Sequence, residues 1–265
     1  MNALETPRRA VILAAGRGTR LGPLAAELPK VMVELDGQTL LSHQRRSLAA
    51  SGITDVHLVL GHGAEAVKRH PDAHGLTFWH NPDYATTNMV VSLLCATGLL
   101  DGTSDLVIAY GDIVYESRLV RALFALDAPV GVVVDLAWRA YWEARMPDPL
   151  ADAETLRMDD EGCVLELGGR PQDYSDIEGQ YTGLIMISAK FARTIAAIAS
   201  QAVATNRNCY MTELLQQTID AGICVHAAEV RNGWLEIDSP ADLRLQHQCF
   251  YRATRRDSPE LYDVP

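Results

Sequence analysis

Residues 13–32 read Leu-Ala-Ala-Gly-Arg-Gly-Thr-Arg-Leu-Gly-Pro-Leu-Ala-Ala-Glu-Leu-Pro-Lys-Val-Met. An apolar run, Ala10 to Ala15, feeds directly into a loop holding Gly16, Gly18 and Gly22. Small residues at such a strand end let backbone N–H groups approach an anion closely. Arg17 and Arg20 sit in the same loop, and Arg offers a planar fork matched to phosphate oxygens. Lys30 follows Pro29, whose ring fixes the local backbone. It is one of three lysines among 23 basic residues, which points to a need for a compact charge there. Ala14, Ala15, Gly16, Arg17, Gly18 and Thr19, with Arg20 and Lys30, therefore form a candidate polyphosphate cradle. A dinucleotide fingerprint is excluded, because Leu21 stands where its third glycine belongs. A P-loop is excluded because no Gly-Lys-Ser/Thr follows.

Outward from this loop, strand and helix patterns alternate. Strands are expected at Ala10–Ala15, Asp55–Leu60, Leu76–His80, Asp105–Tyr110 and Pro129–Ala137. Helices are expected at Thr39–Ser51, Ala64–Arg69, Thr87–Gly98 and Leu119–Leu126. Such alternation implies a three-layer α/β fold with a mostly parallel sheet. Ligands of such sheets bind beyond the carboxyl ends of strands. The glycine loop, Gly61-His62-Gly63 and Gly111-Asp112 all follow strand ends, so all three fall on one rim. After residue 138 the pattern changes. Trp138–Arg145 reads as a short helix, and Leu156–Met158, Val164–Leu167 and Tyr181–Ile187 as an antiparallel extension over residues 138–187. Helices at Ala189–Ala204 and Met211–Ala221, strands at Cys224–Val230 and Leu235–Ile237, and a closing helix at Ala241–Tyr251 complete the expectation. Residues 1–253 read as a single domain and 254–265 as a mobile tail.

The chain has 265 residues, 48% hydrophobic and 22% charged, with a formal net charge of −11. That balance disfavours a nucleic-acid surface. No apolar run reaches membrane-spanning length, and no signal-peptide pattern opens the chain, so a cytoplasmic protein is expected. The five cysteines lack a CxxC and read as reduced, buried thiols rather than a disulfide or metal framework. Five histidines between His57 and His80 follow no metal-binding spacing.

The run LAAGRGTRLGPLAAELPKVMVELDG resembles the signature of the nucleotidyltransferase superfamily. The stretch Asn81-Pro82-Asp83-Tyr84-Ala85-Thr86-Thr87-Asn88-Met89-Val90-Val91-Ser92-Leu93 is similar to the branch of phosphocholine and aminoalkylphosphonate cytidylyltransferases. Gly111-Asp112, Tyr181-Thr182-Gly183-Leu184 and Trp234-Leu235-Glu236-Ile237-Asp238 extend the likeness over roughly residues 8 to 245. The resemblance implies a Rossmann-like nucleotidyltransferase fold, with CTP as donor and a small phosphate or phosphonate as acceptor. It implies catalytic roles for Lys30 and Arg20. It assigns Asp112 and Asp238 to Mg²⁺, which takes one or two protein carboxylates and fills its other positions with water and phosphate oxygens. Asn88 and Ser92 lie one helical turn apart, and the resemblance turns that side toward the nucleotide. For the acceptor, Trp138, Tyr141, Glu166, Tyr181 and Glu236 suit a cationic head, whereas Arg145 and Arg139 suit an acidic one. A sugar-1-phosphate enzyme and a catalytically silent nucleotide-binding subunit are the alternatives. The sequence leaves open whether the chain forms a homodimer.

Overall fold

The structure, a computed structural model, describes residues 6–25, 28–245 and 250–252. Its strands are β1 (Arg8–Ala14), β2 (Glu34–Leu35), β3 (Gln38–Thr39), β4 (Asp55–Leu60), β5 (Thr77–His80), β6 (Asp105–Tyr110), β7 (Ile113–Tyr115), β8 (Val130–Asp135), β9 (Leu156–Met158), β10 (Val164–Leu167), β11 (Gln180–Ile187), β12 (Val225–Val230) and β13 (Trp234–Glu236). Its α-helices are α1 (Leu40–Ala49), α2 (Ala64–Arg69), α3 (Met89–Cys95), α4 (Ser117–Phe124), α5 (Trp138–Arg145), α6 (Ala189–Thr205) and α7 (Met211–Asp220).

Seven strands form one sheet in the order β12-β8-β11-β6-β1-β4-β5. All neighbours pair in parallel except β11, which runs antiparallel to both β6 and β8. Alternation along β1 shows how the layers arise. Ala10, Ile12 and Ala14 enter one core with residues of α1 and α4, while Val11 and Leu13 enter the opposite core with residues of α3, α6 and α7. Helix α1 begins where Thr39 Oγ1 accepts the Ser42 N–H at 3.0 Å.

Three expectations are corrected. Tyr181–Ile187 is not part of a peripheral extension; within β11 it fills the centre of the main sheet, because its apolar residues on both faces meet both cores. Of the strands expected in that extension, β9 and β10 form a separate hairpin packed on α7 and β12. Of the helix expected at Ala241–Tyr251, the described residues show a 3₁₀ turn at Asp242–Arg244, after which Leu245 turns extended (φ −62°, ψ 149°); residues 246–249 lie outside the described residues. The expected helix from Thr87 to Gly98 is shorter, because the Asn88 side chain caps α3 at Met89 and a 3₁₀ turn, Thr97–Leu100, follows. The expected tail at 254–265 lies outside the described residues. Among the described residues no helix is long and apolar enough to cross a membrane.

Candidate active site

The glycine loop leaves β1 at Ala14 and is pinned by fully buried Leu21, whose N–H donates to the Gly18 carbonyl at 3.0 Å. The segment Lys30–Met32 forms one 3₁₀ turn after Pro29. Val31 and Met32 are buried there, so the chain anchors immediately beyond Lys30 and directs its ammonium.

The carboxylates come from two distant segments joined by a small ribbon. Strands β7 and β13 pair antiparallel, with Glu236 opposite Ile113, and the Ile237 N–H donates to the Asp112 carbonyl at 2.8 Å. That register sets Asp238 beside Asp112. Buried Gln44 holds the turn from beneath, donating to the carbonyls of Tyr110 (3.0 Å) and Ile113 (2.8 Å). Asp135 holds the other strand by accepting the Asn232 N–H (2.9 Å) and the Trp234 indole N–H (3.0 Å). Gly111 allows β6 to approach β1, since a Cβ there would sit 2.8 Å from the Leu13 carbonyl oxygen.

Lys30 Nζ donates to Asp112 Oδ2 at 2.9 Å and to Asp238 Oδ1. Arg20 reaches Asp238 Oδ2 at 2.7 Å while staying largely exposed. Glu236 pairs with Arg145 at 2.8 Å, and Arg145 also holds Asp242 at 3.1 Å. The other oxygen of Asp242 accepts from the N–H groups of Asp238 (3.0 Å) and Ser239 (2.7 Å). Burial works against the charge of both Lys30 and Asp238, but their mutual attraction outweighs it. Lys30 is raised by Asp112 and Asp238, and Asp238 is lowered by Lys30 and Arg20. Burial pushes the Glu236 carboxyl up, with Asp238 and Asp112 adding like charge and Arg145 opposing.

Carboxylate oxygens of Asp112, Glu236 and Asp238 lie within 4.8 Å of one another. An all-oxygen set suits a hard divalent cation such as Mg²⁺. The Lys30 ammonium already occupies a position between two of these acids, so the pocket tolerates positive charge there. The donor chemistry therefore fits the expected ion.

A cavity of about 260 Å³ opens at this rim. Of the residues expected to hold nucleotide or phosphate, Ala14, Gly16, Gly18, Thr19, Arg20 and Lys30 line it, together with Asp112. Ala15 turns its carbonyl to the His62 N–H (3.0 Å), and Arg17 lies exposed over the Tyr84 ring at 5.7 Å. Asn88 Oδ1 accepts the Met89 N–H at 2.8 Å, so it serves as the helix cap. Ser92 points inward, accepting from Asn81 Nδ2 at 3.0 Å, and is not among the lining residues. Met89 and Tyr110 line the cavity instead, and neither had a distinguishing signal in the sequence.

The expected acceptor group is divided by the fold. Trp138, Tyr141 and Arg145 share one face of α5 at helical spacing, and that face is the inward one. Trp138 and Tyr141 are both buried in an aromatic core, Trp138 against Trp142 and Tyr141 against Trp142 and Trp234. They brace the site from behind: Tyr141 Oη donates to the Glu236 carbonyl (3.1 Å) and accepts its N–H (2.9 Å). Glu166 is exposed on β10 and accepts from Thr155 Oγ1 at 2.9 Å. Tyr181 packs edge-on against Tyr110, with ring centroids 5.9 Å apart. Glu236, expected to contact acceptor, instead joins the two aspartates.

Residues 10–209 match the family model described as MobA-like NTP transferase domain. A CTP:phosphoglutamine cytidylyltransferase of Campylobacter jejuni is 34% identical over 249 residues, covering 89% of this chain and 98% of that protein. A CMP-5'-(3-aminopropyl)phosphonate synthase of Streptomyces rubellomurinus is 37% identical over 123 residues, covering 45% of this chain and 19% of that protein. Among solved structures, the inositol-1-phosphate CTP transferase of T. maritima superposes with a TM-score of 0.74 at 20% identity, covering 92% of this chain and 94% of that one. The CTP:phosphocholine cytidylyltransferase of Streptococcus pneumoniae gives 0.67 at 21% identity, covering 90% and 96%.

Proposed function

The chain belongs to the MobA-like NTP transferase domain family and is a nucleotidyltransferase, and from that premise we propose that it transfers CMP from CTP to a small phosphate or phosphonate bearing an amine or amino-acid head, releasing pyrophosphate. The observation that carries this reading is the convergence of the glycine loop, Lys30 and Asp112 on one strand-end cavity, with Asp238 against Lys30. The choice of CTP and of an amino-bearing acceptor draws on the activities of the two relatives above.

An acceptor oxygen attacks the α-phosphorus in line and pyrophosphate departs. That oxygen is already anionic, so positioning and charge neutralisation carry the reaction without a strong base. Lys30 stabilises charge growing on the α-phosphate. Arg20, with Arg17 swung in from its exposed position, and the amides of residues 16–19 hold the departing phosphates. Asp112 and Asp238, with Glu236 in reach, would hold a divalent cation such as Mg²⁺, which supplies further neutralisation of phosphate charge when bound. Arg145 and Asp242 position Glu236 and Asp238 from behind. Tyr110 and Met89 form the cavity wall that meets the nucleotide or acceptor.

The test is pyrophosphate release with Mg²⁺, crossing CTP, UTP, dTTP, ATP and GTP with phosphoglutamine, 3-aminopropylphosphonate, 2-aminoethylphosphonate, phosphocholine and glucose-1-phosphate. Turnover with CTP and an amino-bearing acceptor is expected. Turnover confined to glucose-1-phosphate would move the chain to the sugar branch. Nucleotide binding with no turnover on any acceptor would favour a silent subunit.

A further inference from the structure

At the edge of the sheet opposite the catalytic rim, the turn joining β9 to β10 meets the start of β12. Cys163 and Cys224 come together there with Cα atoms 5.9 Å apart, joined as a disulfide. This overturns the expectation of separate thiols, because a sequence separation of 61 hid the contact. His226 follows Cys224 by two positions, so both fall on the same side of the extended strand. Its Nε2 lies 3.6 Å from Cys163 Sγ. The three donor atoms all lie within 4.8 Å of one another.

We propose that, once reduced, Cys163, Cys224 and His226 form a binding site for one borderline-soft divalent cation of the zinc class. The spacing supports it. Metal–sulfur and metal–nitrogen bonds of about 2.3 and about 2.0 Å set tetrahedral neighbours about 3.5 Å apart, the separation already present between Cys163 and His226. The backbone is preorganised. Asp159 Oδ1 accepts the N–H groups of Glu161 (3.0 Å) and Cys163 (2.8 Å), and the Ala227 N–H donates to the Gly162 carbonyl at 2.9 Å. Charge points the same way. His226 lines a cavity of about 360 Å³ whose charged lining residues, among the described residues, are Asp127, Asp160, Glu161 and Glu229, all acidic. Four carboxylates disfavour two thiolates and favour a cation that neutralises them. A disulfide alone requires neither the imidazole nor the acidic cavity.

The chemistry balances in two steps. A dithiol reductant gives two electrons and two protons to the S–S bond, becoming a cyclic disulfide and leaving two thiols. The cation then displaces both thiol protons as two metal–sulfur bonds form.

The test uses full-length protein reduced with a dithiol, desalted without oxygen and titrated with Co²⁺ alone in excess Mg²⁺. One Co²⁺ per chain is expected, with thiolate-to-metal charge-transfer absorption and tetrahedral d–d bands, and Zn²⁺ should displace it. The carboxylates at the catalytic rim cannot give a thiolate band, so failure here is separable from failure of the proposed transferase activity. Cys224→Ser and His226→Asn should each weaken binding by at least ~10²-fold, with unchanged circular dichroism certifying the fold. No thiolate band in reduced wild type, or bands in both variants as strong as in wild type, overturns the proposal. So does a disulfide that the dithiol cannot open, read by alkylation and mass.

Discussion

Lys30→Met removes the ammonium that separates Asp112 from Asp238 while keeping the length of the side chain. In catalysis it deletes one charge-stabilising donor, and kcat should fall at least ~10²-fold, equivalent to about 2.7 kcal/mol. The fold also depends on this group. Removing one partner of a buried ion pair costs about 3–5 kcal/mol. Here the cost is smaller, because the Asp112 side chain is 23% exposed and Asp238 keeps Arg20. A loss of about 2 kcal/mol follows, which for a chain of this size lowers Tm by about 4–8 °C. Millimolar Mg²⁺ should restore much of that loss by replacing the missing charge, without restoring turnover. The assays are pyrophosphate release at saturating substrate and thermal unfolding with and without Mg²⁺. Activity within about threefold of wild type would remove Lys30 from the chemistry. An unchanged Tm would show that the carboxylates do not need the ammonium.

Three further outcomes are expected. Glu236→Gln keeps an oxygen that can accept from Arg145 but removes one of three converging carboxylates, so Mg²⁺ affinity should fall about tenfold; unchanged affinity by calorimetry would detach Glu236 from the cation. Gly183→Ala should destabilise by about 1–3 kcal/mol in urea unfolding, because φ is +81° and a Cβ would sit 2.7 Å from the Tyr110 ring; a cost below about 0.5 kcal/mol would show that Tyr110 moves freely. His43, buried and hydrogen-bonded to the Leu35 carbonyl (2.9 Å) and Tyr251 hydroxyl (3.1 Å), has its pKa lowered by burial. The unfolded chain therefore binds its proton first. Tm should fall as pH drops below about 6.5, and His43→Gln should flatten that slope; an equal slope in both proteins would exclude His43 as its source.

Much of the candidate site was legible because its residues are local in sequence. The loop from Ala14 to Arg20 has to be small, cationic and strand-linked, and those demands are met by neighbours in sequence. Asp112 was legible for the same reason, standing where a buried strand ends. The acceptor side was less legible, because helical spacing fixes which residues share a face, not which way the face turns. Trp138, Tyr141 and Arg145 share a face of α5, and it turns inward. The same holds for Ser92, which lies one turn from Asn88 and accepts from Asn81. Gln44 and Asp242 left no signal, since a buried polar residue in a helix or turn shows its partners only when distant backbone arrives.

By itself the sequence determined the alternation of strands and helices, the rim on which the glycine loop and Gly111-Asp112 meet and the small, cationic make-up of the first loop. Each follows from periodicity or from residue types within one turn of chain. Only the tertiary structure decided that β11 enters the main sheet antiparallel, that Glu236 joins Asp112 and Asp238, and that Cys163 meets Cys224 and His226. These contacts join segments tens to more than a hundred residues apart. Their register is set by how β7 pairs with β13 and how a hairpin settles against β12, and the burial that fixes such register is a property of the packed whole.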